Sequence, residues 1–206
     1  MMEAALMGGV LPGPWSSWQF IGAANLLASG SAPVEVNFPS GIQAGDLVVA
    51  VMSPLGELIK TAMTAAGWQH WALGVQDYVC TARYAPGLSP PKWTREKSNS
   101  LFLSVLVFRA PGWSSVKLES HASPATPIDV TSRLQNELLL CIGITPRTTS
   151  GWAVHMAGAV PTARAERSLA PAMQVYSANI DYPHEVSDIY VDALSGAERN
   201  LILSVS

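Results

Sequence analysis

The chain has 206 residues, a net charge of −3 and a pI near 5.8, with 49% hydrophobic but only 13% charged side chains. That length admits one large β domain or two small ones, and either can bury a core without a metal or disulfide staple. The balance excludes classical disorder, and the lack of any basic run (the first Lys or Arg is Lys60) excludes a nucleic-acid surface built on clustered cations.

A mean hydropathy of +0.23 in so weakly charged a chain predicts that part of its surface is covered by partners. The longest apolar runs, Leu47–Met52 and Leu138–Ile142, fall far below the ~18 residues of a membrane span. No cationic segment opens a signal peptide, so the sequence predicts a soluble protein made in the cytosol.

In chain order, residues 1–18 come first, and Glu3 is their only charge. Gly8-Gly9 and Pro12-Gly13-Pro14 prevent a long helix or a central strand there. The segment reads as a docking arm, with Leu6, Met7, Val10, Leu11, Trp15 and Trp18 as adaptable or large apolar contacts for a partner. The alternative is an edge strand folded back over its own domain.

Short apolar runs punctuated by Gly and Pro then follow, the pattern of an all-β sandwich or barrel. The first half predicts strands at Gln19–Ala23, Val34–Phe38, Asp46–Ser53, Tyr78–Tyr84 and Leu101–Arg109. Between them, Glu57–Ala66 before Gly67 fits a short helix with a glycine cap or a strand carrying Thr61 and Thr64. The second half predicts strands at Val116–His121, Glu137–Thr145, Trp152–Met156, Gln174–Ala178 and Leu201–Ser206. Cys80 and Cys141 sit in apolar strand-like runs and are expected as buried free thiols, although a disulfide between them stays open.

Four signals recur in the same order. Gly45-Asp46-Leu47 and its apolar run match Asn136-Glu137-Leu138, 91 positions on, and Gly67-Trp68 matches Gly151-Trp152. Tyr84 matches Tyr176, and Leu101–Val105 matches Leu201–Val205. Drifting offsets are expected when strands persist and loops change length. The predicted organisation is therefore an arm at 1–18, a first β module at 19–112 and a second at 113–206. The modules are related halves that pack as separate units or as one jelly-roll-like sandwich. Each opens on a continuous apolar strand, which suits a position covered on both faces.

This succession of Gly-Asp-Leu, Gly-Trp, Tyr and a closing apolar strand with Phe108-Arg109 resembles a β-sandwich module of phage minor structural proteins and some bacterial surface proteins. The second copy departs from it, with Asn136-Glu137 for Gly-Asp and no Phe-Arg pair at its end. The resemblance implies a head or tail appendage of a bacteriophage virion: a capsid decoration, head spike, tail fibre or baseplate component. It would be made in the host cytoplasm and assemble with copies of itself and with other virion proteins.

Chemistry finds little purchase. His184-Glu185-Val186-Ser187-Asp188 lacks the second histidine of a zinc-protease helix, and Pro183 argues for a loop. Asp181, Glu185, Asp188 and Asp192 form no calcium loop and read as an exposed acidic edge. Asp77 with Glu96 is a carboxylate pair without context, and no Gly-x-Ser-x-Gly elbow or phosphate loop occurs. The expectation is a non-enzyme without cofactor or metal, with neither nucleic acid nor membrane as partner. Seven tryptophans, Trp15, Trp18, Trp68, Trp71, Trp93, Trp113 and Trp152, suit core ends and subunit contacts, or else a sugar-stacking platform. The alternative function is thus a carbohydrate- or receptor-binding module for a host surface.

Overall fold

A computed structural model describes residues 18–55, 61–73, 76–95, 98–122, 127–131, 136–181, 184–194 and 199–206. Every regular element in it is a strand. The first half holds β1 (Gln19–Ala28), β2 (Val34–Glu35), β3 (Leu47–Pro54), β4 (Thr61–Met63), β5 (Gln69–Leu73), β6 (Gln76–Arg83), β7 (Lys92–Arg95) and β8 (Leu101–Arg109). The second holds β9 (Val116–Ala122), β10 (Ile128–Thr131), β11 (Glu137–Thr145), β12 (Trp152–Ala157), β13 (Thr162–Arg167), β14 (Ala172–Ile180), β15 (Glu185–Ala193) and β16 (Arg199–Val205).

The pairings are antiparallel throughout and make two large and two small sheets. The first large sheet has the order β1-β8-β3-β6-β5, and its small companion β2-β7-β4. The second pair runs β9-β16-β11-β14-β13 and β10-β15-β12, so each strand order repeats with every index raised by eight.

Side-chain alternation sets the layers. Along β11, Leu138, Leu140, Ile142 and Ile144 join the large core that contains β3 and β8, while Leu139 and Cys141 join a second core with Val186, Ile189 and Val191 of β15. β16 divides likewise, with Leu201, Leu203 and Val205 on one side and Ile202 on the other. The two large sheets therefore pack face to face, and each small sheet covers an outer face. This is why β3 and β11 are buried at every position, and why their sequences are unbroken apolar runs rather than alternating ones. Cys80 and Cys141 are both buried, and no disulfide joins them.

Polar contacts stitch the halves together. The buried Ser53 hydroxyl donates to the carbonyl of Ala172 at 2.8 Å, and the Arg164 and Arg167 guanidinium groups lie over Phe20 and Phe102 at 4.8 and 5.4 Å. Trp113 closes one end, its indole donating to Gly45 O at 2.7 Å while Arg83 stacks on the ring at 3.8 Å.

The ladders correct the sequence alignment in detail. Leu47 and Leu138 open equivalent strands, but Leu47 faces Phe108 and Leu138 faces Val205, so the closing strands correspond with a shift of 97 positions rather than 100. Gly67-Trp68 precedes β5, whereas Gly151-Trp152 leads into β12, the counterpart of β4. In the region where helix and strand both fitted, Thr61–Met63 is a strand on β7, and residues 56–60 lie outside those described. His184–Asp188, expected as a solvated loop, belongs from Glu185 onward to β15, the central strand of its small sheet, because Val186, Ile189, Val191 and Ala193 are drawn into the core.

Candidate functional site

Of the six expected docking residues, Leu6, Met7, Val10, Leu11 and Trp15 lie outside the described residues. Trp18 is described and its position corrects the expectation: it is only 4% exposed and serves the interior. Its indole donates to Asn136 O at 2.6 Å, its ring lies 6.2 Å from Trp113, and its carbonyl accepts from the Asn179 amide at 3.1 Å. An apolar ring with one N–H is well used at such a junction, where a bare carbonyl needs a donor.

Of the other described tryptophans, Trp68, Trp93 and Trp113 are buried, and Trp71 and Trp152 are half-buried. Trp68 donates to Ser89 O at 3.1 Å and Trp71 to the Thr81 hydroxyl at 3.0 Å. Glu96 and the Asp77 side chain lie outside the described residues. Among the described residues no three His, Cys, Asp or Glu side chains converge as a metal site would require, and no helix is long and apolar enough to cross a membrane. The four acids near β15 are spread out, with Glu185 opposite Thr131, Asp192 opposite Ala153 and Asp188 at a positive-φ break.

Two surface features stand out. The first is a polar groove of about 400 Å³ beside β13 and β14, lined by Thr162, Arg164, Ser177, Asn179, Asp181 and His184 together with Gly158–Val160. The β12–β13 turn forms one wall. Gly158 has φ 88° and its hydrogen sits where a Cβ would come within 2.7 Å of Glu185 O, so only glycine lets the turn approach β15 this closely. His184 then contacts Gly158 O through Nε2 at 2.7 Å. On the floor, Arg164 donates through Nε to the Ser177 hydroxyl at 2.7 Å and stacks on Phe20. Burial lowers its pKa, although the group stays cationic, and among the described residues no carboxylate is in ion-pair contact with it. The groove therefore presents a part-desolvated cation with amide, hydroxyl and carboxylate groups around it. Sequence reasoning missed it, because Arg164 and Ser177 come together only through the β13–β14 ladder.

The second feature is apolar. Leu27 is 51% exposed and Leu169 62% exposed, and Leu55 is also exposed. They gather at one end of the central sandwich. Leu27 is opposite Phe102, on which Arg167 stacks two residues before Leu169, and Leu55 follows Ser53-Pro54, whose serine bonds Ala172.

Compared with known proteins, the chain matches no family model, and neither the curated proteins nor the solved structures give a significant match.

Proposed function

We propose that the chain is a non-enzymatic structural subunit of a bacteriophage virion, a head or tail appendage that joins copies of itself and other virion proteins by shape and apolar burial. The observation that carries this reading is the exposed cluster of Leu27, Leu55 and Leu169 on a chain with only 13% charged residues. Exposed leucines on a surface with little charge to solvate it gain from being covered. The resemblance of the Gly45-Asp46-Leu47 and Phe108-Arg109 motifs to phage structural modules supplies the virion setting. The chain should co-sediment with intact particles on a density gradient at a fixed copy number. Particles that are complete without it remove the virion reading.

The groove at Arg164 favours a second reading, recognition of a glycan bearing a carboxylate. An acidic sugar offers an anion for the Arg164 guanidinium, which no carboxylate among the described residues pairs, and hydroxyls for Thr162, Asn179 and Asp181. Glycan-array binding to acidic but not neutral sugars, lost in Arg164→Gln, is the expected result. An array without acidic-sugar binding ends this reading.

A further inference from the structure

An exposed strand at the rim of a sheet offers free N–H and C=O groups to any other strand, and proteins blunt such rims with charge, brevity or bulges. The two large sheets have four rims: β1, β5, β9 and β13. β9 carries Lys117 and Glu119, and β13 carries Arg164, Glu166 and Arg167. β5 has only five residues, with a register break at Trp71/Ala72. β1 is different. Its ten residues, Gln-Phe-Ile-Gly-Ala-Ala-Asn-Leu-Leu-Ala, contain no charge and no proline, and beyond a bulge at Phe20/Gly22 it runs unbroken against β8 to Ala28. Among the described residues no other strand pairs with it.

The sequence of β1 is also self-complementary when run against itself. Phe20 and Ile21 are bulky at one end, Leu26 and Leu27 at the other, and Gly22-Ala23-Ala24-Asn25 are small between them. With Ile21 bulged out as it is against β8, an antiparallel copy centred on Ala24 sets Phe20 beside Leu27 and Gly22 beside Leu26, twice by symmetry. Such apolar cross-strand pairs are what stabilises a sheet, and an isologous contact uses the same patch on both subunits. It also covers Leu26 and Leu27, which are 36% and 51% exposed.

We propose that β1 is a subunit interface, pairing antiparallel with β1 of a second copy across a two-fold axis so that the first large sheet continues from one subunit into the next. This deepens the assembly reading above and rests on it, supplying the partner and the mode of contact. A covering strand from elsewhere in the chain is the competing occupant of the same rim.

Light scattering on the full chain separates these cases, with hydrogen exchange read at β1. The expected mass is twice 21.9 kDa, and the β1 amides that do not bond β8 should exchange slowly. The double variant Leu26→Lys/Leu27→Lys, which gives β1 charge as on the rims β9 and β13, should be a monomer with an unchanged circular dichroism spectrum and at least a roughly 100-fold faster exchange at those amides. Leu194→Lys, at an exposed site beyond β15, should remain a dimer. A dimer that survives the double variant overturns the β1 interface while leaving self-association standing. A full chain that is monomeric at high concentration overturns both, and slow β1 exchange in that monomer assigns the rim to another segment of the same chain.

Discussion

Gly143 lies in the middle of β11, opposite Gln174 on one side and Asn200 on the other, and its φ is not in the left-handed region, so backbone freedom does not explain it. Space does. A Cβ built there comes within 2.8 Å of Val191 Cγ1, 2.9 Å of Val191 Cβ and 3.0 Å of Trp152 Cζ3. Comfortable carbon–carbon contact begins at about 3.5 Å, so Gly143→Ala requires β15 and the indole to retreat by roughly 0.5–0.7 Å. Val191 Cβ is fixed to the backbone, and rotamer change cannot relieve that contact. The retreat would lift the small sheet off the second core, where Val191 and Ile189 are fully buried. Overpacking of this kind costs about 1–3 kcal/mol, which for a chain of this size lowers Tm by roughly 2–12 °C. Calorimetry on Gly143→Ala, alone and combined with Val191→Ala, measures it. Val191→Ala should cost less in the Gly143→Ala variant than in the parent, since the clash offsets the cavity. A Gly143→Ala protein that melts with the parent would show that close approach of β15 to β11 is not what the glycine provides.

Other expectations follow from buried groups. Gln174 is fully buried and neither of its amide atoms has a described partner, so Gln174→Met should raise stability by about 1–3 kcal/mol in denaturant titration. A loss instead would mean that an internal water satisfies the amide. Trp113→Ala, which removes the ring contacts with Trp18 and Arg83 and the bond to Gly45 O, should cost about 3–5 kcal/mol in the same titration. A cost under about 1 kcal/mol would deny Trp113 its place between the halves. Burial raises the pKa of the Cys141 thiol. The unfolded chain therefore ionises first, and this group's contribution to stability falls as pH rises above ~8.5. At about pH 8, close to the ordinary thiol pKa, neither cysteine should react with a disulfide reagent until denaturant is added. Rapid labelling of the native chain would contradict the burial of both.

The long strands buried on both faces were legible in the sequence and several short or edge strands were not, for a physical reason. β3, β8, β11 and β16 are covered on both faces, so they are long apolar runs that declare themselves. β7, β10 and β13 are short or mixed in polarity and take their conformation from the ladders they complete, which no local pattern reveals. The paired Gly45-Asp46 and Asn136-Glu137 signals do have a structural basis. Gly45 and Asn136 both adopt positive φ, 94° and 64°, which Gly and Asn tolerate at a turn entering a strand. The departure at the end of the second half is equally readable. Asp46 is held by Arg109 through two contacts of 2.8 Å, while the position equivalent to Arg109 is Ser206, and Glu137 Oε2 is buried without a described partner. The groove at Arg164 was not legible, since its residues are distant in sequence and individually ordinary.

The back-to-back arrangement of the large sheets also bears on how the chain is born. When a ribosome has released residues 19–109, β1, β3, β6 and β8 can close their ladders, but the face carrying Phe102 and Phe108 has nothing to lie on. Its cover, Leu138, Leu140, Leu201 and Leu203 among it, is completed only as the last strand emerges near residue 205. For the span of nearly a hundred residues the nascent protein displays a broad greasy sheet to the cell. Slow translation through the second half, or synthesis without a chaperone to shield that face, should therefore yield inclusion bodies rather than a soluble half-molecule.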